Sequence, residues 1–444
     1  MSRVAELPEL AAFDDAGGVR IPPGDTVPLT PRARALLDTP PLRRLAGVSQ
    51  LGLVSLVYPG AVHNRLEHSL GVYRLAIEFL QRLSHDQRFN EVVTPADAAA
   101  FLIAALVHDV GHWAYCHPLE DMGLAEIPRH EHRLEEILAT GELGEAIRGL
   151  WAIEPSRVAD LVTGKAHDPA ARILGSLLSG PIDVDKMDYL ARDSLHAGVP
   201  YGRHFDQDRL LSSLCLDEAG TSLAITDKGR TAAELMVFAR YVMFSEVYWH
   251  HTVRAATAML QRAVWLVRSA LDPVHLTRCD DREFVEYLTT RAAGTAAAPL
   301  VAGLFGPTRQ LFKRAATFDA VRSPAVHRAL AGRSYLDMTT VSARLAELVS
   351  RHLGRRISAE TLIVDAPPAE REVEFRIQVR ERPPAQAQPN WRWLEDLSPV
   401  VRSLAREQFD SLVKRVRVFA PADDTAHLAC CPDLENLLLE AAGE

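Results

Sequence analysis

One segment constrains this chain more than any other: Pro95–Val110, where a strongly apolar run ends in the pair His108-Asp109. Pro95 suits the first turn of a helix, and Phe101, Leu102, Ala105, Leu106 and Val110 make its buried side. The run Ala98–Val107 is too short to span a bilayer, so the rest of the chain must cover it. Asp109 is thus a charge at the end of an apolar helix. Gly111 weakens that helix end and lets another backbone approach closely.

The surrounding pattern is helical. Thr30 is placed to cap a helix over Pro31–Leu37, and Asp38-Thr39-Pro40-Pro41 stops it and starts the next. Ser55–Tyr58 reads as extended, ended by Pro59-Gly60. Arg65–Leu83 repeats Leu70, Tyr73, Ile77 and Leu80 near helical spacing. Further helices are expected over His132–Thr140, Leu143–Leu150, Pro155–Thr163, Pro169–Leu178 and from Ile182 or Asp183 to about His196. Later ones are expected over Ala232–Ala270, Asp280–Ala293, Pro299–Arg314, Val326–Leu330 and Thr340–His352. Alternation around Glu218-Ala219-Gly220 predicts a short hairpin within 214–225. After Gly354, strands are expected over Glu360–Asp365, Val373–Val379 and Val413–Ala420, with a loop at Pro383–Pro389 and a helix over Val400–Leu412. The expected architecture is mostly α: an arm or small hairpin over 1–30, carrying the Asp14-Asp15 turn, a helical core over 31–354, and a small α+β appendage over 355–444.

Composition narrows the function classes. Hydrophobic residues make up 48% of the 444 and charged residues 24%, which excludes a disordered chain. The start lacks a basic stretch followed by an apolar run, so no secretory leader is expected. Five scattered cysteines form no disulfide framework, and a reducing cytoplasm fits them. A formal charge of −9 does not favour a nucleic-acid surface, but it leaves phosphate substrates open, because local cations set a pocket's potential.

Histidines carry the chemical signal. His63, His68, His108, His112, His117, His130 and His132 cluster beside Asp109 and Glu131. His68, His108, Asp109 and Asp185 would suit a borderline divalent or transition ion, with positions left for water and substrate. Mn, Fe, Mg, Ni, Co and Zn are not distinguished by this set. Each residue alone has a bland reading: a polar helix position for His68, a core histidine for His108, a helix-start carboxylate for Asp185. The ordered set is harder to explain that way. His112 follows His108 by one helical turn, and His130-Glu131 lie in a short basic segment before a new helix.

The ordered motifs resemble the HD-domain metal phosphohydrolases. They run through Asp38-Thr-Pro-Pro-Leu-Arg-Arg-Leu, Gln50-Leu51-Gly52 and Tyr58–Gly71 with its Arg65-Leu-Glu-His68. They continue with His108-Asp109-Val-Gly-His112, His117-Pro-Leu-Glu120, His130-Glu131 and Asp183–Asp193. The likeness is greatest to the deoxynucleoside triphosphate triphosphohydrolase branch, over roughly residues 30–315. It implies metal ligation by His68, His108, Asp109 and Asp185. It implies His112 and His130 beside the transferred phosphoryl group, with Glu131 and Asp109 orienting them or water, and leaves open which histidine is the general acid. Arg65 and Lys186 would grip phosphate and His117 would lie near the sugar or α-phosphate, with Glu120 as support where the family more often has Asp. Gln50 and Asp193 would bind the 3′-hydroxyl, Leu51 would limit room for a 2′-hydroxyl, and Tyr189 and Tyr248 would lie near the sugar or base.

Two departures from the family matter. His251 stands where a phosphate-binding lysine is common, and Ala46 replaces the arginine of a guanine-nucleotide activator site whose Asp38 is retained. The resemblance therefore argues against activation by that route. The leading expectation is hydrolysis of a deoxynucleoside triphosphate to deoxynucleoside and inorganic triphosphate by a homo-oligomer, dimer or tetramer. The alternatives are an HD-domain nucleotide phosphohydrolase or phosphodiesterase of other specificity, or a nucleotide-responsive regulator with little turnover. Arg43-Arg44, Lys313-Arg314 and Arg355-Arg356 could serve a nucleic-acid-binding regulator, though solvated surface is their ordinary role.

Overall fold

The computed structural model describes residues 4–11, 18–367, 376–382, 390–404 and 413–444. The expected turn at Asp14-Asp15, the loop at 383–389, and parts of the expected elements at 373–375 and 405–412 lie outside them. Helices dominate the described chain, and local chemistry accounts for their ends. Thr30 accepts a hydrogen bond from the Ala33 amide at 3.3 Å, capping Pro31–Leu37 as expected. Helix α1, Arg65–Leu83, is capped by Asn64. Helix α2, Pro95–Val107, opens on a Thr94/Asp97 capping box. Ten consecutive residues of α2, Ala98 to Val107, are buried. Helix α3, Val184–Ala197, starts at Asp183, whose side chain accepts from the Lys186 amide, and ends at Gly198 in the left-handed conformation. Helices α1, α2 and α3 pack together in one apolar core.

Three small sheets complete the fold. Strands β1 (Gly18–Ile21) and β2 (Asp25–Pro28) form the N-terminal hairpin. Strands β3 (Leu214–Leu216) and β4 (Leu223–Thr226) form the second hairpin. Its edge is extended by β7 (Gln378–Glu381), parallel to β4, and then by β8 (Asn390–Trp393). The third sheet has the order β5 (Lys313–Phe318), β9 (Val416–Ala420), β6 (Ile363–Asp365), all antiparallel. Two of the sheets therefore join strands from both sides of position 354. A lone two-stranded hairpin is marginal in water, and added strands supply the missing partners. A second apolar cluster gathers residues from Phe318 to Ala442, so the helix Tyr335–Leu353 packs with the C-terminal segment.

Several boundaries differ from expectation. Helix α4 (Arg230–Met243) and helix α5 (His251–Val267) replace one continuous helix. A π-turn over Phe244–Tyr248 separates them, and His250 caps α5 by accepting from the Thr252 amide. The expected helix over Pro299–Arg314 stops at Phe305, and Lys313 onward is strand β5. Partners distant in sequence override the helical propensity of Lys-Arg-Ala-Ala there. The 3₁₀ turn Gly52–Leu56 takes in the start of Ser55–Tyr58, which was expected to be extended.

Candidate active site

The apolar α2 ends at Val107, and His108 still holds helical angles at its C-cap. Its Nδ1 lies 2.9 Å from the Ala105 carbonyl, so that nitrogen carries the proton and Nε2 keeps its lone pair. His68, in the first turn of α1, is fixed likewise: its Nδ1 lies 2.8 Å from Asp188 Oδ2. The two Nε2 atoms converge to 3.3 Å, and His68 Nε2 is 3.0 Å from Asp185 Oδ1. His68, His108 and Asp185 each offer a donor atom within 4.8 Å of the other two. Asp109 Oδ1 lies 3.5 Å from His108 Nε2.

Electrostatics supports a cation at this point. Burial opposes charge on His68, yet its hydrogen bonds to Asp185 and Asp188 outweigh it and push the imidazole up to about 10. Burial also works against the Asp109 and Asp185 carboxylates. Arg65 and the neighbouring imidazoles nonetheless hold Asp109 well below the usual carboxylate range, and the His68 contact brings Asp185 down to about 2. Two imidazoles and the Asp185 carboxylate thus meet, with Asp109 beside His108 and second partners already orienting both rings; on His68 Nε2 a bound ion would take the place of the proton that Asp185 favours. The donor set fits a divalent or transition ion.

Glycines allow this convergence. A Cβ on Gly71 would lie 1.9 Å from Asp188 Oδ1, so α1 and α3 can close around the Asp188–Arg192 pair only with glycine there. A Cβ on Gly111 would lie 2.1 Å from the His130 carbonyl. Close backbone approach at Gly111 was expected from sequence. Its consequence is that the turn after His108-Asp109 rests against the helix His130–Ala139. His130 and Glu131 belong to the first turn of that helix; they do not precede it, as the sequence had suggested.

The facing wall is a group of histidines. His112 Nδ1 is 3.1 Å from Asp109 Oδ1, and its Nε2 is 3.3 Å from His117 Nε2. The His112 and His130 rings lie 4.0 Å apart. His130 Nδ1 is 2.9 Å from Glu120 Oε2, and its Nε2 is 3.7 Å from Glu131 Oε1. Burial, with Arg65 nearby, holds His112 well below the ordinary histidine range. His117 follows Tyr115, which holds a left-handed backbone at φ 54°. Such a conformation in a bulky residue is strained, and Phe284 and Phe305 pack against its ring.

A cavity of 360 Å³ lies between the walls. Among the expected site residues, Gln50, Arg65, His68, His108, Asp109, His112, His117, His130, Glu131, Asp185 and Tyr189 line it. Arg65 donates to Asp109 Oδ2 at 2.8 Å, while its Nε and the Gln50 Oε1 are buried without partners among the described residues. Five expected residues are not in the lining. Leu51 is half-buried beside it. Lys186 turns back to Asp183 at 2.6 Å, because capping puts the two three residues apart on one helical turn. Tyr248 donates to Asp193 Oδ2 at 2.7 Å, and His63 Nε2 meets Asp193 Oδ1 at 2.8 Å. His251 stacks near His250 among Arg314, Arg417 and Lys313, and burial with these charges lowers it to about 4.

Sequence reading assigned no role to several residues that hold the site. Asp188 and Arg192 form a buried pair at 2.7 Å, and Arg192 reaches Glu67 at the same distance. The i, i+4 spacing of Asp188 and Arg192 was the available signal. Arg44, read as surface, donates to the Val110 and His112 carbonyls at 2.8 and 2.6 Å and so holds the turn that carries His112.

Residues 65–193 match the family model for the HD domain, and residues 205–431 match that for the HD associated region. An uncharacterized protein of Methanocaldococcus jannaschii is 32% identical over 257 residues, covering 57% of this chain and 51% of that protein. The deoxynucleoside triphosphate triphosphohydrolase of Gallus gallus is 30% identical over 261 residues, covering 51% of this chain and 42% of that enzyme. The chain thus spans about half the length of the curated relatives it matches. Among solved structures, a phosphohydrolase from Bacteroides thetaiotaomicron shares the fold with a TM-score of 0.64 at 21% identity, over 91% of this chain and 97% of that one.

Proposed function

We propose a reaction from one premise: this chain belongs to the HD-domain family and carries that family's HD-associated region. It is a metal-dependent phosphohydrolase that cleaves deoxynucleoside triphosphates to deoxynucleoside and inorganic triphosphate. The observation that carries this reading is one cavity holding the donor set His68, His108, Asp109 and Asp185, the histidine wall, and Arg65 Nε and Gln50 Oε1, which have no partner among the described residues. A divalent ion held there supplies positive charge to phosphoryl oxygens and to water.

The side chains supply the rest. Arg65, fixed by Asp109, presents its remaining donors to phosphate. Glu120 holds His130 Nδ1, which leaves Nε2 to exchange a proton with water or the leaving oxygen. His112 and His117 face each other and can hold one proton between them. Water adds to the α-phosphorus, the bond to the 5′-oxygen breaks, and that oxygen takes a proton from one of these histidines. Tyr189 and Gln50 bound the sugar side of the cavity, and Tyr248 and His63 fix Asp193 behind it. A homo-oligomer, dimer or tetramer, belongs to the same reading and is measured by light scattering.

A second reading has one observation in its favour. Arg65 is the single arginine or lysine among the described residues lining the cavity. Hydrolysis of nucleotide phosphoesters with fewer charges would need no more. The deciding experiment incubates the full chain with each deoxynucleoside triphosphate and with Mn, Fe, Mg, Ni, Co or Zn, and identifies the products. Triphosphate plus deoxynucleoside supports the first reading. Monophosphate plus pyrophosphate, or turnover of other phosphoesters alone, selects the second.

A further inference from the structure

At the opposite end of α1 from His68, a cavity of 270 Å³ lies between the last turn of that helix and the four-stranded sheet. The two ends of α1 are 14 residues apart from His68 to Arg82, roughly 21 Å at helical rise. Its lining includes Arg82, His85, Asp86, Arg88, Cys215 and Arg380. The polar groups are unevenly matched. Arg88 is committed to structure, donating to the carbonyls of Asp217 and Leu216 at 2.9 and 3.1 Å and lying 3.4 Å from Asp86. Arg82 and Arg380 have no carboxylate within 4.0 Å among the described residues. Arg82 Nε is buried with no acceptor among the described residues, which is costly for a donor withdrawn from water. Arg380 has a ring of Trp391 at 6.0 Å and projects from β7, whose register beside β4 places it opposite Thr226.

An arginine in a last helical turn ordinarily faces water or the final carbonyls. Here a second arginine from a distant strand faces the same space, and a third is already fixed there. Burial pushes the Cys215 thiol up to about 11, although Arg380, Arg88 and Arg82 all act to lower it. The cations therefore converge on a point next to that thiol. We propose that this cavity is a binding site for a phosphate-class anion, gripped by Arg82 and Arg380 with Arg88 as the fixed wall. Its volume is just below the range of about 300–1,000 Å³ usual for whole small-molecule ligands, so it suits one or two phosphoryl groups. The site is separate from the candidate active site and does not rest on the reaction proposed there.

The test is calorimetric titration of the full chain with inorganic phosphate, pyrophosphate and dAMP. Saturable binding is expected, weakened about tenfold by Arg82→Gln or Arg380→Gln and lost in the double variant, as charge-assisted hydrogen bonds require. The Arg82→Lys, Arg380→Lys double variant keeps the charges and should retain part of the affinity, even if the glutamine pair does not fold. Tighter binding of dAMP assigns the anion to a nucleotide whose sugar stays outside the cavity. Equal or weaker binding assigns it to free phosphate. An isotherm unchanged in a folded double variant, or no saturable heat at millimolar anion, overturns the proposal.

Discussion

On one side of the candidate active-site cavity, Asp188 receives both His68 Nδ1 and the Arg192 guanidinium, and Arg192 passes on to Glu67, which also meets His196 at 2.9 Å. On the other side, His112, His117 and His130 face one another at 4.0 to 5.5 Å between rings. That wall also contains Glu131, one of whose oxygens is buried without a hydrogen bond among the described residues and lies 3.6 Å from Arg129 Nε. The first wall is a closed chain of charge-assisted bonds between two long helices. The second is drawn from a helix end, a strained turn and the start of a short helix. Closed networks fix geometry, whereas unpaired nitrogens leave protons free to move. On the function proposed above, the difference amounts to a division of labour: one wall would hold the ion and the other would react.

Substitutions on the reacting wall should produce the largest loss of turnover. His130→Gln removes a proton carrier and should cut kcat by about 10²–10⁴-fold, with metal content unchanged by elemental analysis. Glu120→Gln should cost less, since the imidazole remains. Metal lost along with activity in His130→Gln would break the division, because that residue would then belong to the holding wall.

Asp188→Asn tests the holding wall. The amide can still accept from His68 but no longer neutralises Arg192. Outer partners of metal ligands commonly contribute about 10–100-fold in affinity or activity. The expected loss is in metal affinity, so excess metal should restore much of the rate. A kcat defect that metal does not repair would assign Asp188 to the reaction itself.

The legibility of the two walls in sequence differs for a physical reason. His68, His108, Asp109 and Asp185 stand in short local motifs with helical caps around them, so their gathering at one cavity was readable. So were the caps at Thr30 and Asp183 and the hairpin at 214–225. What escaped was set by partners far away in sequence. Lys313–Phe318 is a strand because residues 416–420 pair with it. Lys186 was assigned to phosphate, but it lies over its own cap, Asp183. His251 was placed with substrate, but a break at Phe244–Tyr248 starts α5 beside a different cationic group. The role of Arg44 depends on carbonyls more than 60 residues away.

Gly111→Ala tests whether the two walls depend on one contact. An added methyl group would meet the His130 carbonyl at 2.1 Å, and backbone atoms cannot rotate out of the way. Forcing the His130 helix outward should destabilise the fold by about 1–3 kcal/mol, as overpacking does. It should also lower kcat while His68 and His108 still bind metal. Urea unfolding and metal analysis on the same preparation measure both effects. A variant with normal kcat would show that the spacing of the walls is not critical.

Glu78 provides the smallest test, because it lies on α1 behind the holding wall and should affect stability without affecting turnover. Burial, with Asp25 and Asp208 nearby, raises its carboxyl from the ordinary 4.5 to about 7, against the opposing pull of Arg74 at 3.0 Å. The folded state therefore binds its proton more tightly than the unfolded state does. Below the unfolded value both states are protonated and the contribution is fully present. As pH rises through 7 it is lost, by an amount of roughly 3 kcal/mol at most. Glu78→Gln removes the titration, and the Arg74 contact it sacrifices is a weak, partly exposed pair. The variant should gain stability relative to the parent chain between pH 5 and pH 8 in urea unfolding, with kcat unchanged at both. A parallel stability profile for the two proteins would mean that Glu78 is hydrated. A change in kcat would mean that the packing behind the holding wall reaches the reacting one.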